Sequence, residues 1–272
     1  MQPEQWMERF KRIVLRPEAK INVAEAALVI AADEYSDLDI DHYLAQLDAL
    51  AEQVRPRLQA VETPREKLDV LNDYIFNELG FRGNRDEYYD PCNSYLNDVL
   101  ERRLGIPITL SLVYLEIGWR LGCPLGGVAM PGHFIVKWKT DDLVIMLDPF
   151  DAGHIIGQFS LPQPANVQSR LSWVESASQK QILVRLLSNL RGIFLEKRLD
   201  DRILLVLEKI LLLQQDTADV LREAAGLAYE LKRYRQAKDF LSDYVRRYPQ
   251  ARGVDEMRTR LDEVESILLR LN

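Results

Sequence analysis

Cysteine is almost missing from this chain. Cys92 and Cys123 are its two thiols in 272 residues, too few for a disulfide framework, so a reducing cytoplasm is the expected address. Basic charge is also short: 35 Lys and Arg face 42 Asp and Glu, a formal net charge of −7. That balance argues against bulk nucleic-acid binding, which needs a basic face. No run of about 18 apolar residues occurs, so no membrane-spanning helix is expected. The opening MQPEQWMERFKR has mixed charge and lacks the apolar stretch of a secretory signal. Metal-ligand spacing is missing too. Asp37, Asp39 and Asp41 alternate as in a calcium loop, but position six is His42 instead of Gly and position twelve is Asp48 instead of Glu. A solvated acidic turn is expected there, with no metal, and no motif calls for a cofactor.

What is present is enough apolar material for a core, with 47% hydrophobic and 28% charged residues. Trp6, Phe10, Ile13 and Val14 give residues 4–15 a helical stripe, ended by Pro17. Residues 20–33 form a second, more apolar helix. Asp41 is a candidate N-cap for a third, with Tyr43, Leu44, Leu47 and Leu50 on one face. From Ile21 to Val54 there are eight acids and no Lys or Arg. Residues 64–79 repeat Leu68, Leu71, Tyr74, Ile75 and Leu79 behind a first-turn Pro64, and Gly80 closes that helix.

The stretch from Tyr89 to Phe150 organises the rest. SYLNDVLERRLG reads as a helix capped near Asn93 or Ser94 and ended by Gly105. Pro107 can open the next helix, ITLSLVYLEIGWRLG, whose broad apolar stripe predicts burial. After Gly126 and Gly127 the period changes to two. HFIVKW and DLVIMLD read as two strands joined by KTDD. Centring that hairpin on Thr140 and Asp141 sets His133 opposite Asp148 and Ile135 opposite Met146, close enough for a carboxylate to bond an imidazole. Two readings follow. Asp148 orients His133 as base to a nucleophile, or the two are a satisfied polar pair in a half-buried sheet. His154, six residues after Asp148, reads as a loop residue.

The run NSYLNDVLERRLGIPITLSLVYLEIGWRLG, followed by PGHFIVKW and LDPF, resembles the SirB-type proteins of bacteria, over most of the chain. The resemblance implies an α+β fold: papain- or transglutaminase-like helices packed on an antiparallel sheet, followed by an all-α array of tetratricopeptide-like helical hairpins. It implies that His133 and Asp148 occupy the His and Asp positions of a transglutaminase-like core. It also implies that the nucleophilic Cys, which begins the buried helix, is replaced by Pro107. Thr109 and Ser111 are the nearby hydroxyls, but a hydroxyl needs far stronger activation than a thiol. Cys92 is the alternative nucleophile. Cys123 follows the helix, at the end where the dipole disfavours a thiolate, and reads as a packed hydrophobe. Asn93, Asn97, Pro107, Thr109 and Ser111 are the expected cleft-lining residues.

Two domains are expected, 1–165 and 180–272, with a boundary over 164–179 at the end of the stretch 151–179, which is rich in Gly, Pro, Ser and Gln. A 34-residue repeat frame begun at Ala218 puts Ala225, Ala237 and Pro249 at the positions that suit a tetratricopeptide repeat. A frame begun at Val184 is degenerate, with Arg191 and Ile203 at its small positions, and residues 251–271 read as a terminal helix. Lys232, Arg235 and Lys238 are candidates for binding an acidic peptide; a solvated helix face is the plainer account. The expected function is a non-catalytic, regulatory protein-binding role on a degenerate transglutaminase-like cleft and a short repeat groove. The alternative is a cysteine-dependent acyl-transfer enzyme using His133 and Asp148.

Overall fold

The computed structural model describes residues 3–160, 175–214 and 217–271. The chain divides into two compact units, Met1–Leu186 and Leu187–Asn272. Most of the expected boundary lies outside the described residues.

The first unit opens with four helices: α1 (Pro3–Val14), α2 (Val23–Ala31), α3 (Ile40–Gln59) and α4 (Pro64–Asn72). Asn22 caps α2, its side chain accepting from Glu25 N–H. Asp39, not Asp41, caps α3, accepting from His42 N–H. Thr63 and Glu66 form a reciprocal capping box on α4. The helix expected over 64–79 continues past Asn72 as a wider π turn, Asp73–Glu78. A two-residue parallel ladder joins β1 (Arg82–Gly83) to β2 (Leu104–Gly105), on either side of α5 (Leu96–Arg102). Arg103, in the left-handed region at φ 59°, terminates α5, so Gly105 is a ladder residue and not the helix stop expected from the sequence.

Helix α6 (Pro107–Arg120) is buried from Pro107 through Gly118. Each large aliphatic side chain enclosed this way contributes about 1.5–3 kcal/mol. Its single acid, Glu116, is held by two partners: Ala24 N–H at the start of α2 donates to it at 3.0 Å, and Arg120 pairs with it while reaching Asp48 of α3 at 2.6 Å. Helices α2, α3 and α6 are thereby tied at one buried carboxylate, which burial pushes above its ordinary pKa.

The sheet holds four antiparallel strands in sequence order: β3 (Leu125–Met130), β4 (His133–Lys139), β5 (Leu143–Asp148) and β6 (His154–Ser160). Only β4 and β5 were legible as strands. Pro131 and Gly132 close the β3–β4 hairpin, with Gly132 at φ 71° supplying the left-handed residue the turn needs. The β4–β5 register is Val136↔Leu147, Lys137↔Met146 and Lys139↔Val144. The turn is therefore Asp141–Asp142, closed by Thr140 N–H to Leu143 O at 2.9 Å. This corrects the expected register by two residues: Lys137, not Ile135, lies opposite Met146. His154 is no loop residue but opens β6, opposite Asp148.

The second unit continues α7 (Gln179–Lys197), within which the division falls, through α8 (Asp200–Leu213), α9 (Ala218–Glu230), α10 (Tyr234–Arg247) and α11 (Val254–Leu271). Ala224, Ala225 and Ala228 of α9 and Ala237 of α10 are buried where these two helices pack, and such small residues allow close approach. Among the described residues, no helix is long and apolar enough to cross a membrane.

Candidate functional site

His133 opens β4 and Asp148 ends β5. Their side chains meet with Nε2 and Oδ2 2.7 Å apart. Continued by one residue, the β4–β5 register puts Asp148 level with Ile135, so His133 lies diagonal to it on the same sheet face. Diagonal neighbours on one face remain within reach of long side chains. Asp148 uses its other oxygen as well. Oδ1 accepts from Phe150 N–H at 2.9 Å, capping the 3₁₀ turn Pro149–Asp151. The carboxylate is thus fixed at both ends, and the imidazole is left about one-third exposed.

That turn is held from behind. Asp148 O accepts from Gly153 N–H at 2.8 Å, and Asn72 Nδ2 donates to Gly153 O at 2.9 Å. Asn72 also accepts from Tyr114 of α6 at 3.0 Å. The central helix thereby positions the Asp148 turn through one asparagine. Phe150 lies edge-on to His133, with centroids 6.4 Å apart, and edge-on to Tyr88 at 6.0 Å. Arg85 lies over the Phe150 ring at 5.0 Å and pairs with Asp151 at 3.0 Å. Gly83 leaves room for that ring: a Cβ there would come within 2.6 Å of it. Sequence reasoning missed Asn72, Arg85 and Tyr88, which carry no pattern of their own, and gave Phe150 of the LDPF run no role.

The start of α6 is enclosed. Pro107 is its first residue and buried. Thr109 accepts from Ile106 N–H at 3.0 Å and donates to Asn93 O at 2.7 Å, so its hydroxyl is committed in both directions. Ser111 donates to Phe134 O at 3.3 Å. Asn93 accepts from Asn84 at 3.0 Å and donates to Glu87 O at 2.7 Å. Asn93, Thr109 and Ser111 are each 0% exposed, so they stand inside the packing and not on an open cleft wall as expected. The physical reason is that the segment 84–95 folds over the helix start and takes the Thr109 hydrogen bond, while β4 takes that of Ser111. Asn97 lines a different cleft, with Tyr35, Asp98 and Glu101.

Both thiols have other company. Among the described residues, Cys92 Sγ lies 3.9 Å from Tyr35 Oη, and its backbone N–H is bonded by Asp90 at 3.0 Å. Burial first, then the charges of Asp98 and Asp90, push the Cys92 thiol up to about 11. The described bonds and ring contacts of His133 are with Asp148 and Phe150. Cys123 is buried, and burial pushes it up to about 11 as well. Among the basic candidates, Lys238 pairs with Glu265 at 2.8 Å beside Arg235, and Lys232 takes the left-handed turn after α9 at φ 58°.

The profile of the transglutaminase-like superfamily matches residues 41–188. That span runs from the start of α3 into α7 and contains both His133 and Asp148. Among curated relatives, a UPF0162 protein of Xylella fastidiosa (strain 9a5c) is 36% identical over 250 residues, covering 88% of this chain and 89% of that one. A UPF0162 protein of Vibrio cholerae is 28% identical over 142 residues, 52% of each chain. Human F-box only protein 21 is 32% identical over 169 residues, 53% of this chain and 27% of its own length. With the helix, the antiparallel sheet and the His–Asp pair in place, the chain belongs to the transglutaminase-like superfamily.

Proposed function

We propose that this chain is a protein-binding member of the superfamily in which the His133–Asp148 pair serves the architecture instead of a covalent reaction. The observation that carries the reading is the start of α6. The helix opens on Pro107, where the superfamily resemblance puts the nucleophile, and the nearby Thr109 and Ser111 hydroxyls are buried and bonded. A thiol raised to about 11 is almost wholly protonated near neutral pH, and the thiolate is the nucleophile.

The C-terminal helices supply the second half of the reading. Helices α9 and α10 act as a tetratricopeptide-like hairpin, supported by the buried Ala225 and Ala237 at the small positions of the frame. An acidic peptide reaching Arg235 and Lys238 would compete with Glu265 for the lysine. The human relative carries the matched segment as 27% of its length, which suits a module that works inside larger assemblies. The role is regulatory in kind: a folded cleft and a helical groove that hold a partner.

The deciding experiment is the alkylation rate of Cys92 and Cys123 against pH in the native chain, with His133→Ala as control. Both thiols should react slowly, with midpoints near 11, and His133→Ala should leave them unchanged. A Cys92 midpoint well below the ordinary thiol range, abolished by His133→Ala, would overturn the proposal. It would favour the second reading, a cysteine-dependent acyl transferase or protease-like hydrolase. What supports that second reading is the 2.7 Å His133–Asp148 bond, the geometry of a base held by its orienting carboxylate.

A further inference from the structure

The acidic run between Ile21 and Val54 has no part in the His133 site. Its residues Tyr35, Asp39 and Tyr43 meet Asn97, Asp98 and Glu101 of α5 around an open cleft of about 520 Å³. Among the described residues, five carboxylates and His42 line it and no Lys or Arg does. Tyr35 donates to Asp98 at 2.7 Å, and Tyr43 donates to Glu101. These phenols are neutral donors and bring no cation to either carboxylate, and burial raises the Asp98 carboxyl above its ordinary pKa. Burial first, and then the bond and charge of Glu101, push the Tyr43 phenol up to about 12.

A second feature points independently to a missing donor. Asn97 is 3% exposed and lines the cleft, yet its Oδ1 has no hydrogen-bond partner among the described residues. Its Nδ2 makes a long bond to Asp98 at 3.4 Å. A buried amide oxygen left without a donor costs about 1–3 kcal/mol, so a ligand that donates to it recovers that cost. Among the described residues, no three His, Cys, Asp or Glu side chains converge as a metal would require. The cleft also far exceeds one ion in size. The complementary group is extended, cationic and made only of donors. A guanidinium meets all three conditions: a planar fork that spans more than one acceptor, a permanent charge, and five N–H donors with no acceptor.

We propose that this cleft is a binding site for an arginine side chain presented by a protein partner. The open mouth favours a side chain arriving on another surface, since pockets for free small molecules enclose most of their ligand. The fork is shared between Glu101 and Asp98, and one N–H reaches Asn97 Oδ1. The site stands whether or not the His133–Asp148 pair is catalytic, because it uses neither residue.

The test is calorimetric titration of the whole chain with acetyl-Gly-Arg-Gly-amide, with the citrulline version of the same peptide, and with agmatine. Saturable binding of the arginine peptide is expected, weakening with added salt. The uncharged citrulline peptide should bind about 10-fold or more weakly, and so should the arginine peptide to Glu101→Gln or Asn97→Leu. Glu101 is exposed, so its variant keeps the test valid if Asn97→Leu fails to fold. Lack of saturation by about 10 mM, equal binding of the citrulline peptide, or no effect of Glu101→Gln would each overturn the site. Tighter binding of agmatine than of the peptide would overturn the assignment to a partner's side chain.

Discussion

His133 and Asp148 are diagonal neighbours across the β4–β5 ladder, yet their side chains are bonded at 2.7 Å. The carboxylate is shared with Phe150 N–H, so the pair fixes both the start of β4 and the turn after β5. If the pair is structural, its energy belongs to folding. A double-mutant cycle of His133→Ala and Asp148→Ala by urea denaturation should give a coupling of about 1–2 kcal/mol, reduced from the buried value by partial exposure. Asp148→Ala should be the costlier single change, because it also strips the cap from Pro149–Asp151. Additivity within about 0.3 kcal/mol would mean that the bond contributes nothing to stability.

Gly153 holds the same turn by having no side chain. It sits at φ 72°, and a Cβ there would collide with the amide of Asn72, the residue that bonds its carbonyl. Gly153→Ala therefore meets two costs, left-handed backbone and a steric clash, and should lose about 2–4 kcal/mol of stability. Asn72→Ala removes the clash but leaves the backbone strain. The alanine at 153 should then cost only about 1 kcal/mol in that background. Equal costs in both backgrounds would show that Asn72 does not constrain the turn.

The sequence made the long elements legible where one period dominated. The Pro107 start and continuous apolar face announced α6, and the alternation in HFIVKW announced β4. Strand β3 was hidden because Gly126, Gly127 and Pro131 look like loop chemistry, and β6 because its exposed edge alternates weakly. The hairpin register was off by two residues, since KTDD offers two centres and only the Thr140–Leu143 bond decides between them. An even shift preserves the face, which is why the His–Asp contact was still anticipated. The enclosure of Asn93, Thr109 and Ser111 was not legible at all. It comes from the segment 84–95 folding back over the start of α6 and from β4 packing on Ser111, tertiary events with no local signature. The cleft around Asn97 was half visible: the acidic run stood out, but its meeting with α5 depends on the packing of α2 against that helix.

Lys137 gives the last test, through pH. It lies at the centre of β4, 0% exposed, and burial first, then the charge of Lys139, pull its ammonium down to about 8 against the attraction of Glu175. In the unfolded chain it returns to its ordinary 10.5. Between those values the unfolded state binds more protons than the folded one, so this group's contribution to stability rises with pH across the window. Below about 8 the full cost of burying the charge is present. Raw stability will not display the rise cleanly. Cys92 and Cys123 are raised in the folded state, and their contribution falls as pH passes the ordinary thiol value. The difference between the native chain and Lys137→Met cancels those terms. From pH 8 to pH 9.5 that difference should shift toward the native chain by about 1–2 kcal/mol in urea titrations. A flat difference would mean that Lys137 keeps its ordinary proton affinity inside the sheet.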